Sequence, residues 1–561
     1  MRDLLHEPES EEDDYSAYPQ PYECTMPKYL GTSAGLMGFR SLCHSLREFH
    51  PSLRHSVALF EVFKENVAPI VTIFHMPSLI NMFWDAVVSL DTLDKDTEAL
   101  IFAIYYSAAV SLEPDNCFRV LGEVQSKTLD ILRFSVEQAF ARADFLNTQS
   151  MVLLQAAVLF LSALRREDDS RTVWSLTALV FHIAQAMGLH HDGTVFGLKP
   201  FETELRRRLW WHICLLDNRS SSYHGCEPIV QESSFDTRLP LNINDNDLDR
   251  NMTEPPAERV GATDMVFCVI RCEALQALWK IAYIPPNMRT QKQPRDNDGL
   301  LRLQTDREVL VRELQERLEN RYLNHIDLSV PFLRLAATVT RMIMARLLLT
   351  IHESAEMPQD VRDRVFDTTV ETMNACTSMS QDECMSKWAW HSKTHVNWHV
   401  VAFVLSEVCV RPASPQCELG WQSIVQLERV WQMARKKGTV ARSIKRLMAK
   451  AQYVREVQSS LAMLPPNGQS LDACASVFPE MILSGAIGNG DSTRATLVQG
   501  AEPLNPLQPE VDPLLTGNDG ALDMQNAIML NQDNVGDYRI QDWLNIDNTE
   551  EMSSVMKISS V

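Results

Sequence analysis

The chain has 561 residues, 45% hydrophobic and 22% charged, which is enough apolar material for one large domain or more than one ordinary one. A formal net charge of -21 repels phosphate backbones, so nucleic-acid contact needs a local basic patch that opposes the overall field. Only 20 glycines argue against a doubly wound nucleotide-binding fold with its recurrent glycine turns, and the expected fold class is all-α.

Residues 1–40 form an acidic lead-in, with Glu11, Glu12, Asp13 and Asp14 in a row and no periodicity, and are expected to be disordered. They lack the basic start and apolar run of a secretory signal. From residue 41 the chain turns apolar at helical spacing. Leu59, Val62, Phe63 and Val67 fall at i, i+3, i+4 and i+8, the stripe of one buried helix face. Pro69 and Pro77 punctuate a connection over Ile70–His75. Helices are predicted at Ala99–Leu112, Thr148–Arg165 and Arg171–Gly188, the last with Gly188 as its C-terminal cap, and at Glu202–Tyr223. The proline- and aspartate-rich stretch Glu227–Asp249 reads as loop. Helical patterns resume at Thr263–Ala282, Leu301–Tyr322, Val330–Ile351, Asp360–Met379, Val396–Val410, Gln422–Lys436 and Ala441–Met463.

The two most apolar stretches do not read as membrane spans. Met151–Leu164 is too short, and Arg334, Arg341 and Arg346 interrupt Leu333–Ile351. A soluble, intracellular protein is expected. Twelve cysteines, scattered from Cys24 to Cys474 without paired C-x-x-C spacing, read as buried free thiols rather than a disulfide framework.

Helical patterning stops near Pro465, giving an expected large multi-helix domain over 41–465 and a disordered acidic tail over 466–561. From Ala501 onward there are eleven acidic residues against two basic ones. Within Asp537–Asp547, Tyr538, Ile540, Trp543, Leu544 and Ile546 stand among acids. This is the acidic–hydrophobic pattern of a disordered activation segment, with Tyr538, Trp543 and Leu544 as its candidate contacts. The plain alternative is an inert solvated tail. The densest basic stretch carries Arg435, Lys436, Lys437, Arg442, Lys445, Arg446 and Lys450. Arg442, Arg446 and Lys450 share one helix face, and Ile444, Leu447 and Met448 another. A solvated face is the simpler reading, and an import signal at Lys436, Lys437, Arg442, Lys445 and Arg446 the functional one.

Catalytic readings find little support. His190, His191 and Asp192 are adjacent rather than convergent, and read as helix-end architecture more readily than as metal ligands. Glu167, Asp168 and Asp169, or Asp245, Asp247 and Asp249, suggest a diphosphate-binding magnesium site. Such sites need carboxylates projecting from helix walls, however, and these lie in a hinge and a polar loop. No nucleophile elbow, P-loop or dinucleotide fingerprint is present. Neither an enzyme nor a cofactor is expected.

A final set of residues carries a resemblance. Arg206, Arg207, Arg208, Leu209, Trp210 and Trp211 are followed by Leu215, Leu216, Asp217, Asn218 and Arg219. Gly225, Pro228, Ile229, Leu239 and Pro240 come next, and Ala186–Gly193 lies upstream with Gly188, Leu189, His190, Asp192 and Gly193. In this order they resemble the signature of the fungal-specific transcription factor domain, the regulatory region of binuclear zinc cluster proteins. Asn66–Pro77, Thr263–Glu273, Tyr322–Arg346 and Trp388–Cys409 are similar to further segments, and the resemblance extends over residues 40–450. It implies a nuclear regulator of RNA polymerase II genes, of a secondary-metabolite cluster by one reading, whose partners are the transcription machinery or a DNA-binding protein.

The motifs themselves read first as architecture. Leu209, His212 and Leu216 are expected inward, the arginines are left to pair with acidic loops, and an Asp217–Arg219 charge pair is expected to anchor the next loop. A zinc cluster needs six closely spaced thiolates in a basic segment, whereas only Cys24 and Cys43 stand before or at the start of the domain. DNA contact is therefore expected to be indirect or weak, or to come from a cluster encoded upstream of Met1. The alternative from another class is a helical small-molecule-binding or catalytic protein derived from the same domain.

Overall fold

The computed structural model describes residues 46–462 except 165–169, 225, 283–296, 353–357, 381, 393–397 and 432–438. Both acidic tails, and with them Tyr538, Trp543 and Leu544, lie outside the described residues. So do Lys436, Lys437, Gly225 and the Glu167–Asp169 acids. The described residues form α-helices and short 3-10 or π turns, with no strand among them.

The first helix, α1 (Leu53–Val62), starts where the Ser52 side chain accepts from the His55 N–H. The stripe read through Val67 does not continue as one helix. At Phe63–Val67 the backbone widens into a π turn, with the Ala68 N–H donating to the Phe63 carbonyl at 2.9 Å. Pro77, read as punctuation of a connection, instead sits in the first turn of a helix not foreseen, α2 (Met76–Val88), where its missing N–H costs nothing. Then come α3 (Lys95–Ser111), α4 (Pro114–Leu121), α5 (Gln125–Arg142) and α6 (Met151–Leu164). Asp94 caps α3 by accepting from the Asp96 and Thr97 N–H groups at 3.1 and 3.0 Å. Charges spread along α4 and α5 had masked both helices. On α5, Leu129, Leu132, Val136, Ala139 and Phe140 still face inward.

Every residue of α3 from Thr97 to Ser111 is buried, as is every residue of α6 from Leu153 to Leu164. A helix apolar on all sides needs neighbours on all sides; α3 is packed by α1, α2, α5 and α6. Next come α7 (Ser170–Ala186), α8 (Pro200–His224), α9 (Val266–Ala282) and α10 (Asn297–Arg321). After them, α11 (Pro331–His352) is followed by α12 (Gln359–Ser380) and the short α13 (Glu383–Ser386) and α14 (Ala389–Ser392). The chain closes with α15 (Trp398–Val410), α16 (Pro415–Trp431) and α17 (Thr439–Ala462). Here α16 begins earlier than the periodicity indicated, because Pro415 opens its first turn.

Two large cores result. The first gathers buried side chains from Leu46 to Ile351 and takes in Met385, Trp388 and Trp390. The second spans Leu349 to Ala451, with Val370, Val404, Leu405, Ile424 and Ile444 at its centre. One helix, α11, serves both: Leu347 and Ile351 enter the first core and Leu349 the second. The first core is tied shut by residues far apart in sequence. Trp388 Nε1 donates to the Glu65 carbonyl and Trp390 Nε1 to the Asn66 carbonyl, each at 3.0 Å and both within the π turn.

Most described cysteines are buried, as expected, but Cys226 and Cys384 are exposed and Cys376 is half-buried. No described helix is long and apolar enough to cross a membrane.

Candidate functional site

The signature residues converge on the start of α8 and the turn before it. At the end of α7, Gly188 adopts φ +71°, the left-handed conformation a glycine takes without strain. The Gly188 N–H bonds the Gln185 carbonyl and the Leu189 N–H reaches back to Ala184, each at 2.9 Å, closing a Schellman motif. Arg206 on α8 donates to the Met187 carbonyl at 2.8 Å and lies over the Phe196 ring, so a cation covers the α7 C-terminus. At Gly193 the demand is for space. A Cβ there would stand 2.6 Å from Thr203 Oγ1 and 3.0 Å from Thr203 Cα.

Asp192 is the hub of the turn. Its carboxylate takes a two-pronged contact from Arg207, Nε at 2.7 Å and Nη2 at 2.9 Å. It also accepts from the Thr194 hydroxyl at 2.7 Å and the Arg238 N–H at 3.1 Å. Burial alone would raise this carboxyl, but the Arg207, Thr194 and Arg238 donors outweigh it and hold the group well below the usual carboxylate range. The loop after α8 is thereby stitched to the turn. Asp236 accepts from the Asp192 N–H at 2.7 Å, Thr237 Oγ1 donates to the Leu189 carbonyl at 2.7 Å, and Trp211 Nε1 donates to the Arg238 carbonyl at 2.8 Å.

A second ionic group lies one residue along. Arg208 is 1% exposed. It donates to Glu204 at 3.1 Å, to the Phe74 carbonyl at 3.1 Å and to Asp245 at 2.6 Å. Asp245 in turn accepts from the Met76 N–H at 2.7 Å, and its carbonyl bonds His75 Nε2 at 3.0 Å, which fixes the start of α2. Glu204 also accepts from the Leu241 N–H, and burial, only partly offset by Arg208, pushes its carboxyl up to about 7. Arg207 and Arg208 thus clasp three loops onto one helix.

The remaining signature residues complete the framework. Leu209, Trp210 and Trp211 are fully buried, and His212 and Leu216 are buried as expected. Trp211 packs against Phe235 and Trp279, with ring centroids at 5.6 and 5.8 Å. The expected Asp217–Arg219 pair gives way to a different anchor. Residues two apart on a helix point in different directions, and the Asp217 carboxylate instead accepts from the Val230 N–H at 2.9 Å and the Ser221 hydroxyl at 3.4 Å. Burial leads in pushing its carboxyl up, against those bonds. Pro228 is half-buried in that loop, as is Arg219 on α8.

The His190 and His191 rings lie with centroids 4.0 Å apart and planes tilted by 41°, and His191 Nδ1 meets Asp236 at 3.0 Å. The His190 imidazole is pushed down, first by burial and then by its neighbour. Asp245 and Asp247, weighed as magnesium ligands, are spent elsewhere, Asp245 on Arg208 and Asp247 on Arg259 and the Asn244 N–H. Among the described residues, no three His, Cys, Asp or Glu side chains form a set able to hold a metal. What the arrangement does chemically is hold loops.

Sequence reading missed the carboxylate partners Glu204 and Asp236, while its expectation that the arginines pair with acidic loops is met at Asp192 and Asp245. A signal did exist: Glu204 stands four residues before Arg208, the spacing of a helical ion pair. Arg442, Lys445 and Arg446, by contrast, stand exposed on α17, away from the clasp.

Known proteins resemble this chain in sequence. Residues 60–320 match the fungal specific transcription factor domain. The chain is 28% identical over 438 residues to the pyriculol/pyriculariol biosynthesis cluster transcription factor 1 of Pyricularia oryzae, covering 76% of this chain and 57% of that protein. It is 30% identical over 394 residues to the aurofusarin cluster transcription factor of Gibberella zeae, covering 67% of this chain and 56% of that one. With a C6 finger domain transcription factor of Aspergillus fumigatus it shares 28% identity over 508 residues, 81% of this chain and 66% of the relative. The chain therefore spans between about half and two thirds of these curated relatives' lengths. Residues 60–320, with the clasp at their centre, are a fungal specific transcription factor domain.

Proposed function

We propose that this chain is a transcription regulator of RNA polymerase II genes, acting in the nucleus on a secondary-metabolite gene cluster, and that it is not an enzyme. The observation that carries the proposal is the match of residues 60–320 to a transcription factor domain, backed by relatives named as cluster transcription factors. The inward-facing clasp supports the same reading, because its charged groups are consumed in holding the scaffold together. In this proposal residues 41–465 form the regulatory domain, Tyr538, Trp543 and Leu544 engage the transcription machinery, and the basic residues from Lys436 to Arg446 serve nuclear import.

The 561 residues hold no six-cysteine cluster. DNA contact then comes from a partner protein or from coding sequence ahead of Met1. Genome-wide transcripts in a deletion strain test the reading, with the parent's reads mapping the coding start. Coordinated loss of a co-located gene set is the expected result. Unchanged transcripts with an altered metabolite would overturn it in favour of a ligand-binding or catalytic role.

A further inference from the structure

We propose that Cys268 and Cys272, facing thiols on successive turns of α9, are an oxidation site. Hydrogen peroxide converts them to a disulfide, with Cys268 as the attacking sulfur and Cys272 as the resolving one.

Both are free, fully buried thiols, and their sulfurs lie 3.9 Å apart. Residues four apart on an α-helix have Cα atoms roughly 6 Å apart, inside the range of about 4.4–6.8 Å that a disulfide spans. The bridge therefore needs only the tightening of one turn. A base and a cation stand beside the pair. The His212 imidazole on α8 hydrogen-bonds the Cys268 sulfur, and the Arg271 guanidinium is near enough to act on both sulfurs. The Cys272 hydrogen bond first, and His212 after it, hold the Cys268 thiol well below its ordinary value against burial. Burial pushes Cys272 well up. The two thiols are thus unequal, one suited to attack and the other to resolve.

His212 takes the Cys268 proton, and the thiolate attacks one peroxide oxygen. The O–O bond breaks, the departing hydroxide recovers that proton and leaves as water, and Cys268 becomes a sulfenic acid. The Cys272 sulfur then attacks the sulfenic sulfur. The S–O bond breaks as the S–S bond forms, and hydroxide leaves with the Cys272 proton as a second water. Two thiols lose two electrons and one peroxide gains them. Burial selects the oxidant, because a small uncharged molecule enters through a brief opening of the core and bulky oxidised glutathione does not.

Tightening the turn reaches beyond it. Arg271, between the two cysteines in sequence, donates to the Ile70 carbonyl at 2.9 Å, just after the π turn. Glu273 accepts from the Tyr322 hydroxyl at 2.6 Å and from Arg317 at 2.7 Å. Oxidation is expected to loosen both attachments, which hold α9 to the end of the π turn and to α10.

Peroxide treatment of the reduced full chain, followed by alkylation and tryptic mapping, tests it. Cleavage after Arg271 separates the two cysteines unless they are bridged. The expected result is one species joining Val260–Arg271 to Cys272–Lys280, two hydrogens lighter than their sum and reversed by dithiothreitol. It should form about tenfold faster than the exposed Cys226 and Cys384 are oxidised, and oxidised glutathione should give none of it. Cys272→Ala should halt at a Cys268 sulfenic acid that dimedone captures, and Cys268→Ala should leave Cys272 reduced. Hydrogen exchange at 70–73 and 318–322 should rise in the bridged chain and stay unchanged in peroxide-treated Cys272→Ala. Oxidation of Cys226 and Cys384 while Cys268 and Cys272 stay reduced would overturn the proposal. So would a bridge to Cys214, or an equal yield from oxidised glutathione. These overturning results are read on the parent chain, so a variant that fails to fold leaves the test intact.

Discussion

At the clasp of the first core, gathered between Leu46 and Ile351 with Met385, Trp388 and Trp390, whole ion pairs go inside. The Arg207 and Arg208 side chains are 8% and 1% exposed, and each meets a carboxylate exposed by 10% or less. In the second core, between Leu349 and Ala451, the acid is buried but its cations keep a face to water. Glu407 is 3% exposed, while its partners Arg362 and Arg411 are 36% and 19% exposed. A buried pair adds little net stability over a well-packed apolar substitute but penalises any misplacement heavily. The first region needs that discipline because it must fix long loops, which helix periodicity cannot place. The second is built of helices that amphipathic packing alone aligns.

Substitutions can break this contrast, and the largest effect is expected at Arg208. Arg208→Ala strands Glu204 and Asp245 as buried carboxyls, and should cost about 3–5 kcal/mol in denaturant unfolding. Hydrogen exchange should loosen at 74–76 and 241–245 before the second core responds. Ile444→Ala, fully buried, should cost about 2–4 kcal/mol, with the loosening confined to the second core. Equal exchange in both regions for either variant would show that the cores do not differ as described.

The acidity of Glu204 sharpens the comparison. Its folded carboxyl sits at about 7 against an ordinary 4.5, so across that window the folded chain keeps a proton that the unfolded chain releases. Stability from this group therefore falls as pH rises from 4.5 to 7. Glu204→Gln removes the loss and should gain on the parent by on the order of 1–3 kcal/mol between pH 5 and 7. Asp192, with its carboxyl held low, works in the opposite sense: its contribution is present above pH 3.8 and is lost as pH falls through the folded value. Melting temperatures from pH 3 to 7 check both signs. At the rim of the second core Arg411→Ala should cost only about 1 kcal/mol, since water screens its pairs. A cost at Arg411 equal to that at Arg208 would erase the distinction.

Much of this was legible in the sequence because periodicity reports burial. The all-α class, the inward Leu209, His212 and Leu216, the Gly188 cap and the loop after α8 all follow from spacing and turn chemistry. The missed helices α2, α4 and α5 show the limit of such reading. A proline that opens a helix looks like one that ends it, and charges on the outer face dilute an apolar stripe. The clasp was legible only as arginines bound to acidic loops, and its particular partners were hidden for another reason. Asp245 stands 37 residues from Arg208 and Phe74 134 residues away, so no local pattern announces that they meet.

The bonds from Trp388 and Trp390 to the π turn span 323 and 324 residues. On a ribosome adding about 5–20 residues per second, the carbonyls of Glu65 and Asn66 wait tens of seconds for those indoles to emerge. Until then the earliest-made core has an open flank, and release from the ribosome, rather than local helix formation, sets the pace at which it closes. Such non-local closure slows folding and prolongs exposure of apolar surface, so holdase chaperones should be needed most while residues 50–390 are being made.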